Sequence, residues 1–153
     1  MEKKEITIEL VDQDQVLPFW QVFKKVLHQG FPGYSQKIIN YFLKRIYTPA
    51  AFMYWIKKHH KFVFFARVGQ TPAGFAVIDA PYGGVCFCRW LGVLQQHQRQ
   101  GVGTALVEQW LEFAKQRKCH KVEIASQDEA KGFYTNVGLK KEGKSKLSYF
   151  GID

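Results

Sequence analysis

The spacing of apolar residues changes from a period of two to helical spacing within the first part of the chain. Residues 5–11, EITIELV, alternate in character, which predicts a first strand. Asp12 or Asp14 then caps a predicted helix that ends at about His28. The apolar residues of this helix fall on one face; they are Val16, Phe19, Trp20, Phe23 and Leu27.

Two glycines and a proline in residues 30–34, GFPGY, end this helix. Ser35 is the predicted N-cap of a second helix, because a serine hydroxyl accepts from the free amides of a first turn. Thr48 and Pro49 open a short third helix to about Lys58, since proline is favoured in the first turn. The apolar stripe of the second helix consists of Ile38, Ile39, Phe42, Leu43 and Ile46.

Strand patterns dominate the middle of the chain and alternate with helices after it. Residues 61–68 and 72–80 are apolar runs joined by a Gly-Gln-Thr turn, which predicts a β-hairpin. A strand is then predicted at 85–93, followed by a helix that ends at about 118 and a strand at 121–126. A short helix at about 129–136 and two closing strands at 139–143 and 146–152 complete the prediction. The order β-α-α-β-β-β-α-β-α-β-β indicates a mixed sheet covered by helices, an α/β (α+β) class.

Length and composition predict a single domain that covers residues 1–153. Hydrophobic residues make up 46% of the chain and aromatic residues 16%, which is enough for a core and excludes a disordered chain. No apolar run reaches the length of a membrane span, and the N-terminus lacks the apolar core of a signal peptide. We therefore expect a cytoplasmic protein without membrane contact, as a monomer or a homodimer.

Cysteines and charge exclude several classes of site. Cys86 and Cys88 lie two apart on a predicted strand, a spacing unlike that of a CxxC redox or zinc site. They are interpreted as buried apolar thiols, and no metal is expected. The net charge of +9 attracts polyanions, but its cations are scattered in small groups. We therefore expect no nucleic-acid partner.

The most informative stretch is LGVLQQHQRQGVGTALV, residues 91–107, where a predicted strand ends and a helix begins. The first amides of a helix lack intrahelical partners and, together with the helix dipole, favour an anion. Gly101 and Gly103 lack a Cβ and let an anion approach the backbone, while Arg99 adds positive charge. The nearby side chains that can donate hydrogen bonds are Gln98, Gln100 and Thr104. The pattern predicts a phosphate cradle.

Two common phosphate-binding motifs do not fit this cradle. A P-loop needs Gly-Lys-Ser/Thr after a longer gap, and Val102-Gly103-Thr104 does not provide it. A Rossmann fingerprint needs a third glycine close to the first strand of the fold. Here Leu106 stands at that position, and several predicted strands precede the site.

The stretch instead resembles the acetyl-coenzyme A motif of the GNAT (general-control-related N-acetyltransferase) superfamily, written Q/R-x-x-G-x-G/A. Gln98, Gly101 and Gly103 occupy its defining positions, and Leu91-Gly92-Val93 precedes it at the distance usual in the family. The proline usual in relatives after this valine is replaced by Gln95.

A second GNAT signature, A-x-x-Φ-Y-x-x-x-G-F with Φ apolar, is similar to residues 130–139. Its matching residues are Ala130, Phe133, Tyr134 and Gly138, with Leu139 in place of the final Phe. Together the two motifs extend the resemblance over nearly the whole chain. It implies a GNAT-like mixed, mostly antiparallel twisted sheet with helices on both faces.

The resemblance implies an acetyl-coenzyme A-dependent N-acetyltransferase. Such an enzyme transfers an acetyl group to a primary amine of a small molecule or a protein by direct attack in a ternary complex. Acetyl-coenzyme A would then be the acyl-donor cosubstrate. The resemblance implies that the main chain at Leu91 and Val93 contacts this cosubstrate, and Gly92 between them is expected to ease a bulge. The other implied contacts are the cradle residues Gln98, Arg99, Gln100, Gly101, Val102, Gly103 and Thr104.

Tyr134 matches the general acid of the family. A phenol, with a pKa of about 10, can protonate a departing thiolate with a pKa near 8.5 at a small energetic cost. In the family the loop between the first two helices lines the acceptor cleft, which here places Phe31 and Tyr34 beside the amine acceptor.

The identity of the general base stays open. Many relatives have a glutamate on the strand before the cradle, but residues 85–93 contain no carboxylate. The candidates are Asp79, Glu123, His97, Asp128 and a bound water. An alternative function is a catalytically inactive module of the same fold that binds coenzyme A and acts as a sensor or interaction subunit.

Overall fold

The computed structural model describes residues 4–31, 33–126 and 130–143. Within these residues, five strands form one sheet in the order β1-β2-β3-β4-β5. The strands are β1 (Ile6–Leu10), β2 (Lys61–Val68), β3 (Thr71–Asp79), β4 (Val85–Val93) and β5 (Lys121–Ile124). The α-helices are α1 (Val16–Gly30), α2 (Gln36–Tyr41), α3 (Pro49–Lys57), α4 (Val102–Gln116) and α5 (Lys131–Asn136).

The helices begin at the predicted caps. The Ser35 hydroxyl accepts a hydrogen bond from the Ile38 amide at 3.2 Å and starts α2, which continues as a π-helical turn over Phe42–Ile46. The Thr48 hydroxyl likewise accepts from the amide of Ala51 at 3.1 Å and starts α3. Asp12 caps a 3-10 turn that leads directly into α1.

The sheet is mixed, as predicted. β1, β2, β3 and β4 pair antiparallel in chain order, and β5 pairs parallel to β4. A parallel neighbour needs a crossover connection, and α4 provides it. The cradle sequence lies where this crossover begins.

Helices cover both faces of the sheet, and each face has its own buried core. On the first face, α1, α2 and α3 pack against the sheet through a core rich in aromatic rings; its largest fully buried rings are Phe19, Phe23, Phe42, Phe52, Phe65 and Phe75. On the second face, α4 packs through Leu106, Val107 and Trp110. We call these faces the α1 face and the α4 face.

A β-bulge in β4 reverses the direction of its side chains. Cys88 and Trp90 pair with consecutive residues of β3, so Arg89 is the extra residue. Before the bulge, Cys86 and Cys88 are fully buried in the core of the α4 face, and burial raises the pKa of the Cys86 thiol to about 11. After the bulge, Trp90 lies in the core of the α1 face. The interpretation of these two thiols as buried and apolar is confirmed.

The bulge therefore lies at Arg89 and not at Gly92, where it was expected. Gly92 serves a close approach of α1 to the sheet. An ideal Cβ on Gly92 would lie 2.4 Å from Cγ1 of Val26 and 3.1 Å from Cζ of Phe75, so a larger residue does not fit without movement.

In the described residues after α4, less strand forms than was predicted. Residues 139–143 form no strand, because Lys140, Lys141 and Glu142 are charged and exposed and offer no apolar face to a sheet. β5 stops at Ile124. The predicted strand at 146–152, together with Asp128, lies outside the described residues. None of the helices in the described ranges is long and apolar enough to cross a bilayer.

Candidate active site

The two parallel strands separate beside the cradle. β4 and β5 pair from Val85 opposite Lys121 to Cys88 opposite Ile124, and pairing ends there. β4 continues to Val93, so no residue of β5 pairs with its last five residues, 89–93. Within the described residues no strand pairs with this edge of β4, and we call the space beside it the gap.

The main chain of β4 faces this gap at the predicted residues. Gly74 lies opposite Val93, and the amide of Leu94 donates to the carbonyl of Ala73 at 2.8 Å. Hydrogen-bonding positions alternate along an antiparallel pair, so the N–H and C=O groups of Leu91 and Val93 face away from β3. Both groups therefore point to the gap.

The start of α4 has the geometry of an anion cradle. Gly101 is the N-cap residue and has φ of +88°, a left-handed conformation that disfavours other residues. No side chain caps the helix, and the first intrahelical bond runs from the Ala105 amide to the Gly101 carbonyl. The amides of Val102, Gly103 and Thr104 precede Ala105 and therefore make no intrahelical hydrogen bond. The helix dipole adds to their attraction for an anion.

The loop before α4 is held by its glutamines. The side-chain amide of Gln98 donates to the Val93 carbonyl at 3.4 Å, and that of Gln100 donates to the Gln96 carbonyl at 3.4 Å. Gln98 therefore ties the cradle to the open end of β4. Arg99 is exposed and has φ of +63°, which is uncommon for a residue with a side chain.

Gly103 lets α5 approach the cradle. An ideal Cβ on Gly103 would lie 3.1 Å from Cζ and 3.3 Å from Cε1 of Phe133, which is close to the tightest contact that real Cβ atoms make. Val102 is buried in the core of the α4 face, so it offers only its main chain to a ligand. The two glycines thus have separate roles, Gly101 in the turn and Gly103 in packing.

Tyr134 lies on α5, whose Phe133 packs against the core of the α4 face. It follows Phe133 on α5 and is partly buried, and burial raises the pKa of its phenol, with a smaller contribution from Cys88. Cys88 is the last residue of β4 that pairs with β5. The raised pKa keeps the phenol protonated at physiological pH.

Aromatic rings pack around Trp90 of β4 on the α1 face. The ring of Phe31 lies 5.3 Å from that of Trp90, edge to face, and the ring of Tyr34 lies 6.3 Å from it. The two predicted acceptor-side residues are thus brought together with a residue of β4. Trp90 is 5% exposed, and its indole N–H has no hydrogen-bond partner among the described residues.

The candidates for the general base differ in their surroundings. Asp79 bonds Lys61 through one oxygen and Arg89 through the other, so both its oxygens are engaged. Glu123 pairs with Lys121 at 3.0 Å and is 42% exposed. It lies opposite Phe87, one position before the end of strand pairing.

His97 is the remaining described candidate. It lies in the 3-10 turn after β4, and its Nδ1 is buried without a hydrogen-bond partner in the ranges described. The same ranges contain no cluster of three or more His, Cys, Asp or Glu residues arranged to hold a metal ion.

Comparison with known proteins agrees with this geometry. The sequence profile described as the acetyltransferase (GNAT) family matches residues 27–139, which is most of the chain. The chain belongs to this family. The match contains β4, the cradle and α5, so both GNAT motifs lie inside it.

A curated GNAT relative is an uncharacterized N-acetyltransferase of Methanocaldococcus jannaschii. It is 25% identical over 156 aligned positions, which cover 91% of this chain and 62% of the relative. This chain therefore spans less than two thirds of the length of that relative.

Solved structures show the same GNAT fold. The PaiA N-acetyltransferase of Thermoplasma acidophilum, in complex with coenzyme A, aligns with a TM-score of 0.81 at 14% identity, over 97% of this chain and 95% of that one. An aminoglycoside acetyltransferase from an uncultured soil metagenomic sample, in complex with sisomicin, aligns with a TM-score of 0.71 at 15% identity, over 97% of each chain.

Sequence reasoning missed three features of this GNAT site. It did not predict the bulge at Arg89, the place of Trp90 beside Phe31, or the engagement of Asp79 by two cations. The bulge left no signal in the sequence, because residues 85–93 are a nearly continuous apolar run that does not show where the strand changes face. The ion pairs join residues far apart in the chain and depend on the register of three strands.

Proposed function

We propose that this protein is an acetyl-coenzyme A-dependent N-acetyltransferase that transfers an acetyl group to a primary amine in a ternary complex. One observation carries the proposal: the uncapped start of α4 follows directly on the edge of β4 whose main chain faces away from β3. Membership of the GNAT family supports the same activity. Acetyl-coenzyme A is the cosubstrate, and no residue holds a metal in this proposal.

The cradle suits the diphosphate of the cosubstrate. The amides of Val102, Gly103 and Thr104 are donors in a helix start, where the dipole adds partial positive charge. Arg99 and the rest of the basic surface add charge at longer range. Gln98 has a positioning role, because its side chain bonds Val93.

The open edge of β4 suits the acyl carrier. An extended chain that enters the gap meets the main-chain groups of Leu91 and Val93 much as a further strand would. An amide of this edge also serves the thioester carbonyl, whose oxygen gains negative charge during attack by the amine. The gap thus orients the acetyl group by main-chain contacts alone.

Tyr134 acts as the general acid in this proposal. Breaking the carbon–sulfur bond leaves a sulfur that has to gain a proton, and the protonated phenol is the donor on the α4 face. Burial raises the pKa of the phenol, and the same surroundings disfavour a thiolate. The two pKa values therefore move in the same direction, and the transfer stays feasible.

Glu123 is the candidate base that the geometry favours. Val122 and Ile124 pack on the α4 face, so Glu123 faces the opposite side, where the acceptor rings lie. Glu123 lies one position before Ile124, the last residue of β5 that pairs with β4. We propose that Glu123, directly or through a water, takes the proton that the amine loses.

The test is thiol release from acetyl-coenzyme A across a panel of small and protein-bound primary amines. We expect release that depends on the acceptor and that Tyr134→Phe removes. Tyr82→Phe is the matched control, because Tyr82 is 90% exposed and lies away from the gap. Tight binding of coenzyme A without release from any amine would instead indicate the inactive binding module.

A further inference from the structure

Several strands have one of their ends on the side of the sheet opposite the cradle. Lys61, the first residue of β2, lies opposite Asp79, the last residue of β3. Val85, the first residue of β4, lies opposite Lys121, the first residue of β5. α4 begins at the cradle and ends at Gln116, shortly before β5. A helix of 15 residues spans about 22 Å, so this end of the molecule is separate from the cradle.

Two basic segments of the chain meet at this end. Residues 57–60, KKHH, join α3 to β2, and residues 115–118, KQRK, close α4. Both segments contact the ring of Phe62 on β2. The ring of His59 stacks on it with 6.1 Å between centroids, and the guanidinium of Arg117 lies over it at 4.8 Å. We call these two segments the basic end.

The cations of the basic end have no carboxylate partner among the described residues. They are exposed, and they are Lys57, Lys58, Lys115, Arg117 and Lys118. The ion pairs within the described ranges involve other cations. The sequence contains no carboxylate from residue 15 to 78 and none from 113 to 122. Glu112, one turn before the end of α4, accepts a hydrogen bond from Gln116 at 3.4 Å.

Negative charge close to the basic end is small by comparison. α3 and α4 both end there, and a helix C-terminus carries about half an elementary negative charge. The two termini together therefore offset about one of the five cations. The carboxylate of Asp79 is shared by Lys61 and Arg89. An excess of positive charge remains at this surface.

Exposed aromatic rings flank the basic end. Tyr54 is 54% exposed, and its ring contacts that of His60 with 5.7 Å between centroids. Tyr82 is 90% exposed in the turn between β3 and β4. This turn adjoins the chain that leaves α4, because the His120 amide donates to the Gly84 carbonyl at 2.8 Å. Positive charge and exposed rings thus occur together on one surface.

This combination fits a single-stranded nucleic acid better than other polyanions. A phosphodiester backbone carries closely spaced negative charges, and unpaired bases stack on aromatic side chains. An acidic peptide supplies charge but no bases that stack. A membrane surface favours large apolar side chains beside the cations, whereas the exposed rings here are tyrosines.

We propose that the basic end binds a single-stranded nucleic acid, RNA or DNA, through contacts of its cations with phosphates and stacking of bases on Tyr54 and Tyr82. A nucleic-acid partner was not expected from the sequence, because the cations are scattered in small groups along the chain. The fold brings two of these groups together at Phe62. The strand binds at the far end of α4 from the cradle, so it does not compete with coenzyme A. This surface is independent of the proposed acetyltransferase activity.

The test measures the fluorescence anisotropy of labelled oligouridylate and oligothymidylate, each about twelve nucleotides long, with the full chain. We expect the logarithm of the binding constant to fall with the logarithm of the salt concentration, with a slope of about −2 to −3, as for three or four phosphate contacts. Saturating coenzyme A should leave both affinities unchanged. The RNA and DNA strands show which of the two is preferred. Absence of binding at about 50 mM salt, or displacement by coenzyme A, would overturn the proposal.

Two double lysine variants test the location of the surface. Lys58→Gln with Lys118→Gln removes one cation from each segment and should weaken binding by about tenfold. The salt slope should become shallower by about 1.4, or about 0.7 for each lost phosphate contact. Lys25→Gln with Lys37→Gln is the matched control, because it removes the same charge from exposed positions of α1 and α2. Equal losses in both double variants would contradict the assignment, since binding would then depend on net charge alone.

Two variants of Tyr82 test the stacking of bases. Tyr82→Ala should weaken oligonucleotide binding by about fivefold or more, whereas Tyr82→Phe keeps the ring and should bind like wild type. The comparison polyanions are a polyglutamate peptide and vesicles of phosphatidylserine in phosphatidylcholine. If either binds as tightly as the oligonucleotides, or if Tyr82→Ala binds them as well as wild type does, the surface does not recognise nucleic acid and the proposal is wrong.

Discussion

The two faces of the sheet use different parts of the chain to build the site. On the α4 face, the cradle and the edge of β4 present main-chain groups, and side chains such as Val102 are buried in the core. On the α1 face, the rings of Phe31 and Tyr34 pack around Trp90 of β4. Main-chain groups are the same in every residue, whereas side chains differ.

This difference explains what each face can recognise. A diphosphate and an extended carrier need donors at fixed spacing, which a helix start and a strand edge provide with little dependence on side chains. An acceptor amine is selected by shape and charge, which only side chains supply. We therefore expect the α4 face to serve a shared cosubstrate and the α1 face to determine the individual substrate.

The largest effect is expected from the acid on the α4 face. Tyr134→Phe removes only the hydroxyl, so kcat should fall by about 100-fold, within the range typical of general acid catalysis. The affinity for coenzyme A should change little, since the main chain holds the cosubstrate. Steady-state kinetics and calorimetry check both values, and Tyr82→Phe is the control. Unchanged kcat where chemistry limits the rate would remove Tyr134 from the role.

The next effect is expected from the cradle. Gly103→Val places a branched side chain against Phe133, which an ideal Cβ already approaches at 3.1 Å. The affinity for coenzyme A should fall by about tenfold or more, because the donors and α5 both shift. Gly132→Ala is the control, since a Cβ there meets nothing within 4 Å. Equal calorimetric affinities for the two variants would contradict the assignment of the cradle.

A smaller effect concerns the fit of α1 over the end of β4. Gly92→Ala should destabilise the protein by about 1–3 kcal/mol, because its Cβ would lie 2.4 Å from Val26 Cγ1. Val26→Ala removes that atom, so the double variant should be more stable than the sum of the single effects predicts, by about 0.5 kcal/mol or more. Urea unfolding measures this, with Gly30→Ala as control. Strict additivity would contradict the contact.

The smallest effect concerns pH. The pKa of Tyr134 is raised above its ordinary value of about 10, so the unfolded chain loses this proton at a lower pH than the folded protein does. The stability that this group contributes is complete below about pH 10 and is lost as pH rises toward the folded pKa. Wild type should therefore lose stability more steeply than Tyr134→Phe above about pH 10. Phenolate absorbance of the folded protein checks the same shift, and ionisation of Tyr134 at the ordinary phenol pKa of about 10 would contradict it.

Much of the fold was predictable because it depends on local patterns. Ser35 and Thr48 start helices as their side chains dictate, and the hairpin of β2 and β3 follows from two apolar runs and a short turn. The cradle was predictable for the same reason: Gly101 marks a left-handed turn at a helix start. The prediction of a strand at 139–143 was wrong, because the charged side chains of Lys140, Lys141 and Glu142 are exposed and form no buried face.

The acceptor side was harder to predict because it depends on contacts between distant segments. Phe31 and Tyr34 were expected there, but only the fold brings them to Trp90. The bulge that turns Trp90 toward them occurs inside a nearly continuous apolar run. The engagement of Asp79 by Lys61 and Arg89 likewise needs three strands in register. No local signal encodes these features.

A crystal structure of the complex with coenzyme A tests the central claim most directly. We predict that the diphosphate oxygens lie within about 3.2 Å of the amides of Val102, Gly103 and Thr104. The sulfur should lie in the gap between β4 and β5, beside the Tyr134 hydroxyl. Coenzyme A bound elsewhere, or held without contact to these amides, would contradict the account.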